Sequence, residues 1–330
     1  MKAWTIKEPG GLEQLVMVDR PIPEPTAEEI LIKVEATAIN RLDIMTRENV
    51  TLTEPYPILG VEVSGIVLKE SPNYPELKVG TRVAGLTKQN AYAEYAVMHG
   101  GHAMRIPDSM SFIEAAAIPE TFLTAYQTMF WLGELKPLET VLIHAAGSGV
   151  GTAAIQLASR KITDANIIAT AGSQHKLDMA KALGAKHVIN YRNEDFAEKV
   201  LEYTDGHGAD VILDFVGASY YKQNAKAAAI DARWVAIGTL GGADVPEFSF
   251  RDLMMKRISL KATLLTPRSD AYKAELSQEF AHRIMPFFDE DIIQPIIHSV
   301  LGFEDLPEAH RQMEASENTG KIVIDVGDFA

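Results

Sequence analysis

The stretch Val141–Leu157, VLIHAAGSGVGTAAIQL, limits what this chain can fold into more than any other. It begins as an apolar run, Val141-Leu142-Ile143, of the kind a buried parallel strand needs. It turns through Ala145-Ala146-Gly147-Ser148-Gly149-Val150-Gly151, then continues with Ala153, Ala154, Ile155, Leu157 and Ala158 as a helix of small and apolar residues. A strand, a glycine turn and a helix start in that order can form an anion site. The glycines let backbone approach a pyrophosphate, and free N–H groups at the helix start hold its charge. Ala146, Ser148, Gly149, Val150 and Gly151 are therefore candidate cofactor-binding residues. The strict G-x-G-x-x-G string is absent: with Gly151 as the third glycine, the first two positions hold Ala146 and Ser148. An ordinary strand-to-helix turn would share this pattern, so the surrounding sequence has to decide.

The residues that follow keep an alternating rhythm. Strands are expected at Asn166–Thr170, His187–Asn190, Ala209–Asp214, Arg233–Ile237 and Leu260–Thr263. Helices fall between them at Gln174–Leu183, Asp195–Tyr203 and Ala218–Ala229, with Glu120–Leu132 ahead of the glycine turn. Alternation of this kind predicts βαβ units and a doubly wound, Rossmann-type parallel sheet of six strands. Strand-end turns such as Val216-Gly217, Gly238-Thr239 and Leu264-Leu265 then lie at the carboxyl edge, where such sheets bind ligands.

The first hundred residues read differently. Short strands at Ala3–Ile6, Leu15–Asp19, Ile30–Ala38, Gly60–Leu68, Val79–Val83 and Ala91–Met98 suggest a partly open barrel or sandwich, with a close backbone approach at Gly65 and a helix at Asn40–Arg47. Pro107–Pro119 is the candidate boundary. A long helix (Asp270–Phe288), another at Asp305–Glu317 and a strand at Lys321–Val326 form the tail, which could rejoin the first domain. The expected division is a β-rich domain of residues 1–118 and 266–330 around a nucleotide-binding domain of residues 119–265.

Charge and composition exclude whole classes of partner. The formal charge is −14, against the basic patch that nucleic acid or an anionic membrane surface requires. There are no cysteines, so disulfides and thiolate metal ligands are ruled out. The N-terminal MKAWTIKEPGG has no apolar signal core, and no segment approaches an uncharged run long enough to span a bilayer. A soluble, cytoplasmic protein is expected.

Several runs, HAAGSGVGTAAIQLA, AAAIPETFLTAYQ, TAGSQHKLDMAKALGA, the strand-end DFVG and the C-terminal TGKIVIDV, resemble the medium-chain dehydrogenase/reductase superfamily. The zinc-independent quinone oxidoreductase branch is the best match, and the resemblance covers nearly the whole chain. It implies a discontinuous, GroES-like catalytic domain with a Rossmann domain inserted in it, NADPH as cofactor, and a homodimer. Among cofactor contacts it implies Ser173, Lys176 and Tyr191 around a 2′-phosphate. Val216, Gly238 and Leu264 are expected at the strand ends, with Asn318 ahead of the C-terminal strand.

The residues bear on cofactor choice independently. A NAD site calls for an acidic residue about twenty positions past the glycine turn. Here the second strand of the sheet ends Thr170-Ala171-Gly172-Ser173, Lys176 follows, and Tyr191-Arg192 closes the third. A hydroxyl, an ammonium and a phenol suit a phosphate. Ser173 as a helix cap and Lys176 as a solvated lysine is the plainer alternative.

Metal is not expected. Where zinc-dependent members of the superfamily carry a first ligand this chain has Asn40, and at the G-H-E position it has Gly60-Val61-Glu62. His99-Gly-Gly-His102 reads as solvated surface and His144 as a structural histidine. Glu62 and Asp43 read as partners of Arg41 or Arg47. Without a Lewis acid, alcohol oxidation has no means of lowering its substrate's pKa, which leaves hydride transfer to quinones or to conjugated enals and enones. The resemblance places Asn40 and Thr124 beside the nicotinamide. Tyr92, in NAYAEY, matches a substrate-side loop, with Tyr95 near it; Thr46–Thr53 holds no aromatic residue. The catalytic candidates are thus Asn40, Thr124 and Tyr92, the substrate a small quinone or enone. An alkenal or enone double-bond reductase is the first alternative, and a non-catalytic NADPH-binding redox sensor the second.

Overall fold

The computed structural model describes residues 1–49 and 51–327. The chain divides into two compact units, Met1–Leu123 with the segment from Thr266 onward, and Thr124–Leu265. In chain order the first unit supplies β1 (Lys2–Ile6), β2 (Leu15–Asp19), β3 (Glu29–Ala38), α1 (Arg41–Glu48), β4 (Glu62–Lys69), β5 (Arg82–Leu86), β6 (Tyr95–His99), β7 (Met104–Arg105) and α2 (Phe112–Ala116). Helix α3 (Pro119–Tyr126) runs across the division. The second unit holds β8 (Thr140–Ile143), α4 (Gly149–Lys161), β9 (Asn166–Ala171), α5 (Gln174–Leu183), β10 (His187–Asn190), α6 (Phe196–Tyr203), β11 (Ala209–Asp214), α7 (Tyr221–Ala227), β12 (Ala228–Ala236), α8 (Phe250–Lys256) and β13 (Ser259–Ala262). The first unit resumes with α9 (Asp270–Arg283), α10 (Met285–Asp289), β14 (Ile297–Gly302), α11 (Leu306–Glu314) and β15 (Lys321–Asp325).

In the first unit, β3 is the spine. Ile30, Ile32 and Val34 are buried while the residues between them are not, the alternation of a strand with one face on a core. Its neighbours on either side are β4 and β15, all antiparallel, and the sheet runs β14-β15-β3-β4-β5-β7 with β6 also on β3. The expected close approach at Gly65 is present: a methyl there would lie 2.0 Å from the Lys33 carbonyl oxygen. Two expectations shift. The strand read at Val79–Val83 begins at Arg82, because Gly80 takes a left-handed turn (φ 88°) ahead of it. The helix read as Asp270–Phe288 is broken at Ile284, since Pro286 cannot donate to a continuing helix.

The second unit is a six-stranded sheet in the order β10-β9-β8-β11-β12-β13, parallel at every pairing. Leu142, Ile168, Ile212 and Trp234 from four of its strands pack with Phe196, Val200 and Tyr221 from its helices. The strand order reverses at β8, so the crevice outside its carboxyl end is the topological switch point. The glycine turn follows β8 directly. One boundary differs here: the alanine run Ala227–Ala229 reads as helix, yet β12 starts at Ala228 because pairing with β11 outweighs alanine's helical preference.

Candidate functional site

The glycine turn is built as an anion cradle. Ala145 adopts a left-handed conformation (φ 48°), and the buried Ala146 donates its N–H to the Thr170 carbonyl at 2.9 Å, tying the turn to β9. Ser148 is the N-cap of α4, its Oγ accepting from Gly151 N–H at 3.0 Å. Gly149, Val150 and Gly151 are the first three residues of that helix, the part whose N–H groups have no intrahelical acceptor.

Beside this turn the structure gathers the cationic and phenolic residues. Lys176 sits in the first turn of α5 with its stem over Gly147, where an added methyl would come within 2.6 Å of Lys176 Cδ. Gly172, at the end of β9, faces Tyr191 and Arg192: a methyl there would lie 2.6 Å from Tyr191 Oη and 2.9 Å from Arg192 Nε. Burial first, and the Arg192 charge second, lower the Lys176 pKa. Two cations close enough to repel, with no carboxylate ending β9, form a site that a dianion would relieve. Ser173 is the N-cap of α5, but its hydroxyl makes no capping bond. Arg192 was not singled out from sequence; its only signal there was adjacency to Tyr191.

Val216, Gly238 and Leu264 follow β11, β12 and β13, at the carboxyl ends of neighbouring strands, and Leu264 is strongly exposed. Asp214 organises the first of these turns. Its Oδ1 accepts from the N–H groups of Val216 and Gly217 at 2.8 and 2.9 Å, and its Oδ2 from Asn224 Nδ2 and Trp234 Nε1. His144, fully buried, has its ring nitrogens 2.9 Å from Thr170 Oγ1 and 2.7 Å from Asn224 Oδ1. Thr124, the first residue of this unit, is buried on α3.

Asn40 lies in the other unit, within a buried polar network. It precedes α1 and donates its backbone N–H to Asp43 Oδ2 at 2.8 Å. Its Nδ2 donates to Glu62 Oε1 at 2.7 Å, and its Oδ1 accepts from Lys321 Nζ at 2.8 Å. Lys321 also reaches Glu62 Oε1 at 2.6 Å, and Glu62 Oε2 accepts the backbone N–H of Glu120 at 2.7 Å. Tyr92 donates its hydroxyl to Asp43 Oδ2 at 2.6 Å. Burial raises the Asp43 pKa to about 7 in spite of those bonds, and burial with the Asp43 charge holds Tyr92 well above the phenol range.

These contacts correct several sequence expectations. Tyr92 is wholly buried in the core, so it packs and holds Asp43 instead of facing a substrate loop. Glu62 and Asp43 are not partners of Arg41 or Arg47: Arg41 binds the Met313 carbonyl, and Arg47 pairs with Glu48 and Glu314. His102 is not solvated surface. It is buried, with its ring nitrogens near the carbonyls of Leu86 and Asp270, and burial lowers its pKa to about 4. Asn318 is nearly buried in the first unit, its amide donating to the Gly320 carbonyl at 2.7 Å to shape the turn into β15. In the loop read at Thr46–Thr53, Val50 lies outside the described residues.

Two family models match, an alcohol dehydrogenase GroES-like domain over residues 26–108 and a zinc-binding dehydrogenase over residues 149–281. A "Quinone oxidoreductase-like protein 2 homolog" from Nematostella vectensis is 30% identical over 300 residues, covering 90% of this chain and 81% of that protein. The Escherichia coli quinone oxidoreductase, solved with NADPH, superposes with a TM-score of 0.88 at 28% identity, over 99% of this chain and 100% of that one. A crystal structure described as an NAD-dependent alcohol dehydrogenase gives 0.87 at 32% identity, over 99% and 100%. Some relatives are far longer: the chain spans 14% of a highly-reducing polyketide synthase from Aureobasidium melanogenum, matching 96% of its own length at 31% identity.

One of those family names implies zinc, and the residues here do not fit it. No cysteine exists to bind it, and among the described residues no three His, Asp or Glu side chains cluster to hold an ion. Where Asn40 and Glu62 meet, the Lys321 ammonium already supplies the positive charge. The glycine cradle after β8, the doubly wound sheet around it and the separate β-rich unit agree with both family matches; the chain belongs to the medium-chain dehydrogenase/reductase superfamily.

Proposed function

We propose that this protein is a zinc-independent, NADPH-dependent reductase of small quinones. The observation that carries the reading is the set of Tyr191 and Arg192 against Gly172 and Lys176 over Gly147, within reach of the Arg192 charge, at a strand end without a carboxylate. Its chemistry fits the 2′-phosphate that separates NADPH from NADH, with Ser173 adding a hydroxyl. Ala146, Ser148, Gly149, Val150 and Gly151 would hold the pyrophosphate. Val216, Gly238 and Leu264 would line the strand ends toward the nicotinamide, with Thr124 of the same unit as a further contact. The NADPH-bound Escherichia coli quinone oxidoreductase supports this reading.

Bound NADPH supplies a hydride. This chain contributes orientation and charge: fixed N–H donors at the start of α4 and cations on α5 and just after β10. Quinones suit such a site because reduction forms an aromatic ring and leaves oxygens that need no strong donor. Alkenals and enones are the second reading, since their enolates gain more from a positioned acid, which typically contributes 10²–10⁴-fold. Steady-state rates with a quinone, an alkenal and a simple alcohol decide between them. We expect NADPH oxidation fastest with the quinone, no alcohol oxidation with NADP⁺, and no loss after chelator treatment. Binding of NADPH without turnover of any acceptor would overturn the reading in favour of a redox sensor. We further read the protein as a homodimer, supported by the exposed apolar side chains of α8 and β13.

A further inference from the structure

A run of hydrogen bonds crosses the second unit at the carboxyl ends of its strands, from β12 to β9. Asp214, wholly buried at the end of β11, is held by four neutral N–H groups: Val216 and Gly217 on Oδ1, Asn224 and Trp234 on Oδ2. Because the Asn224 amide donates to Asp214, its Oδ1 is turned to His144 Nε2 at 2.7 Å and accepts from it. The His144 proton therefore sits on Nε2, and Nδ1 accepts from the Thr170 hydroxyl at 2.9 Å. Burial lowers the His144 pKa, which keeps the ring in this neutral form. The Thr170 carbonyl in turn accepts the Ala146 N–H of the glycine cradle. On the other side, the turn after β11 is laced to the turn after β12. The Val216 carbonyl accepts from Gly241 N–H at 2.7 Å, and Ala218 N–H donates to the Gly242 carbonyl at 2.9 Å. Gly217 permits that lacing: its φ is 81°, and a methyl there would lie 2.8 Å from the Gly242 carbonyl oxygen.

We propose that Asp214 is the positioning residue of the nicotinamide half of the cofactor site, braced through Asn224 and His144 against the cradle that serves the other half. The inference rests on the NADPH reading above. A dinucleotide lies across the switch point, one mononucleotide on each half of the sheet. The 2′-phosphate cluster stands on the β9 side, so the nicotinamide mononucleotide falls to the turns after β11 and β12. Those two turns hold each other through backbone, and Asp214 ties the first of them to the strand end and to α7. It acts through that backbone alone: four donors fill the acceptor sites of a carboxylate and leave none for a ligand. The whole run of contacts lies within the second unit.

The test is Asp214→Asn, which keeps the shape but sets an NH₂ group against donors, so that bonds on one side are lost whichever way the amide sits. NADPH and NADH should each bind about tenfold more weakly, the worth of one hydrogen bond to a charged group, while 2′,5′-ADP, which reaches only the β9 side, should bind within about twofold of wild type. A fault in the fold as a whole would weaken all three alike. Asn224→Leu keeps both turn bonds and breaks the link to His144; it should weaken the two dinucleotides in the same pattern, by less. In wild-type protein, NADPH should slow amide hydrogen exchange in residues 214–219 and 238–242 together, and 2′,5′-ADP should not. If Asp214→Asn does not fold, Asn224→Leu and the exchange pattern decide. Equal losses for 2′,5′-ADP and NADPH, unchanged dinucleotide binding in a folded Asp214→Asn, or protection of only one of the two turns overturns the positioning role while the cofactor reading stands. Wild-type protein that binds neither NADPH nor 2′,5′-ADP overturns the cofactor reading, and the brace falls with it.

Discussion

At the scale of single residues, the phosphate cluster makes the sharpest prediction. Lys176→Ala should weaken NADPH binding by about 1.5–3 kcal/mol, the range for hydrogen bonds to a charged group, and leave NADH binding nearly unchanged. Arg192→Ala should act in the same direction. Fluorescence titration with both cofactors checks this; equal losses for the two would remove the 2′-phosphate from the account. Ser173, Lys176 and Tyr191 could be put forward as candidates because each lies within a few residues of a recognisable strand end. Arg192 was passed over though it stands next to Tyr191, since a charged residue at a strand end usually signals only solvent. The network around Glu62 could not be read at all. Its members come from four separated segments, and nothing in the local pattern ties Lys321 to Glu62, 259 positions away. Tyr92 misled because an aromatic motif looks the same whether its ring faces a substrate or a core.

At the scale of elements, β15 carries more than its place in the sheet. It pairs with β14 and β3 and delivers Lys321 to Glu62, Asn40 and the Ile39 carbonyl. Removing one partner of a buried pair strands the other charge, so Lys321→Met should cost about 3–5 kcal/mol of stability. Denaturant unfolding measures it, and a loss below about 1 kcal/mol would mean that Glu62 is otherwise satisfied. Apart from β12, which starts five residues ahead of the strand read at Arg233, the strands of the parallel sheet were read to within one residue, because the central ones, buried on both faces, are continuous apolar runs. Strand β14 was missed. Its inward positions, Ile297, Ser299 and Leu301, are only half-buried, and one is polar, so the alternation is faint. The break between α9 and α10 was legible in principle from Pro286, but the apolar run on both sides reads as one helix.

At the scale of the whole molecule, the unresolved balance is between charge and apolar surface. The formal charge of −14 makes two copies of this chain repel at low ionic strength. Yet the second unit ends its sheet on β13, an edge strand with Leu260 well exposed, and Phe250, Met254 and Met255 of α8 are each more than two-thirds exposed within the preceding residues. An unpaired, exposed edge strand offers backbone donors and acceptors to another strand, and a second copy presents the matching pattern when turned antiparallel. Apolar side chains beside it supply the driving force that charge does not. The expected result is a dimer by light scattering or sedimentation that tightens as salt screens the acidic surfaces. Replacing Met254 and Met255 together with lysine should weaken it without unfolding the chain, because neither side chain contributes to a core. A monomer at all salt concentrations, or a dimer indifferent to both substitutions, would move the contact elsewhere or remove it.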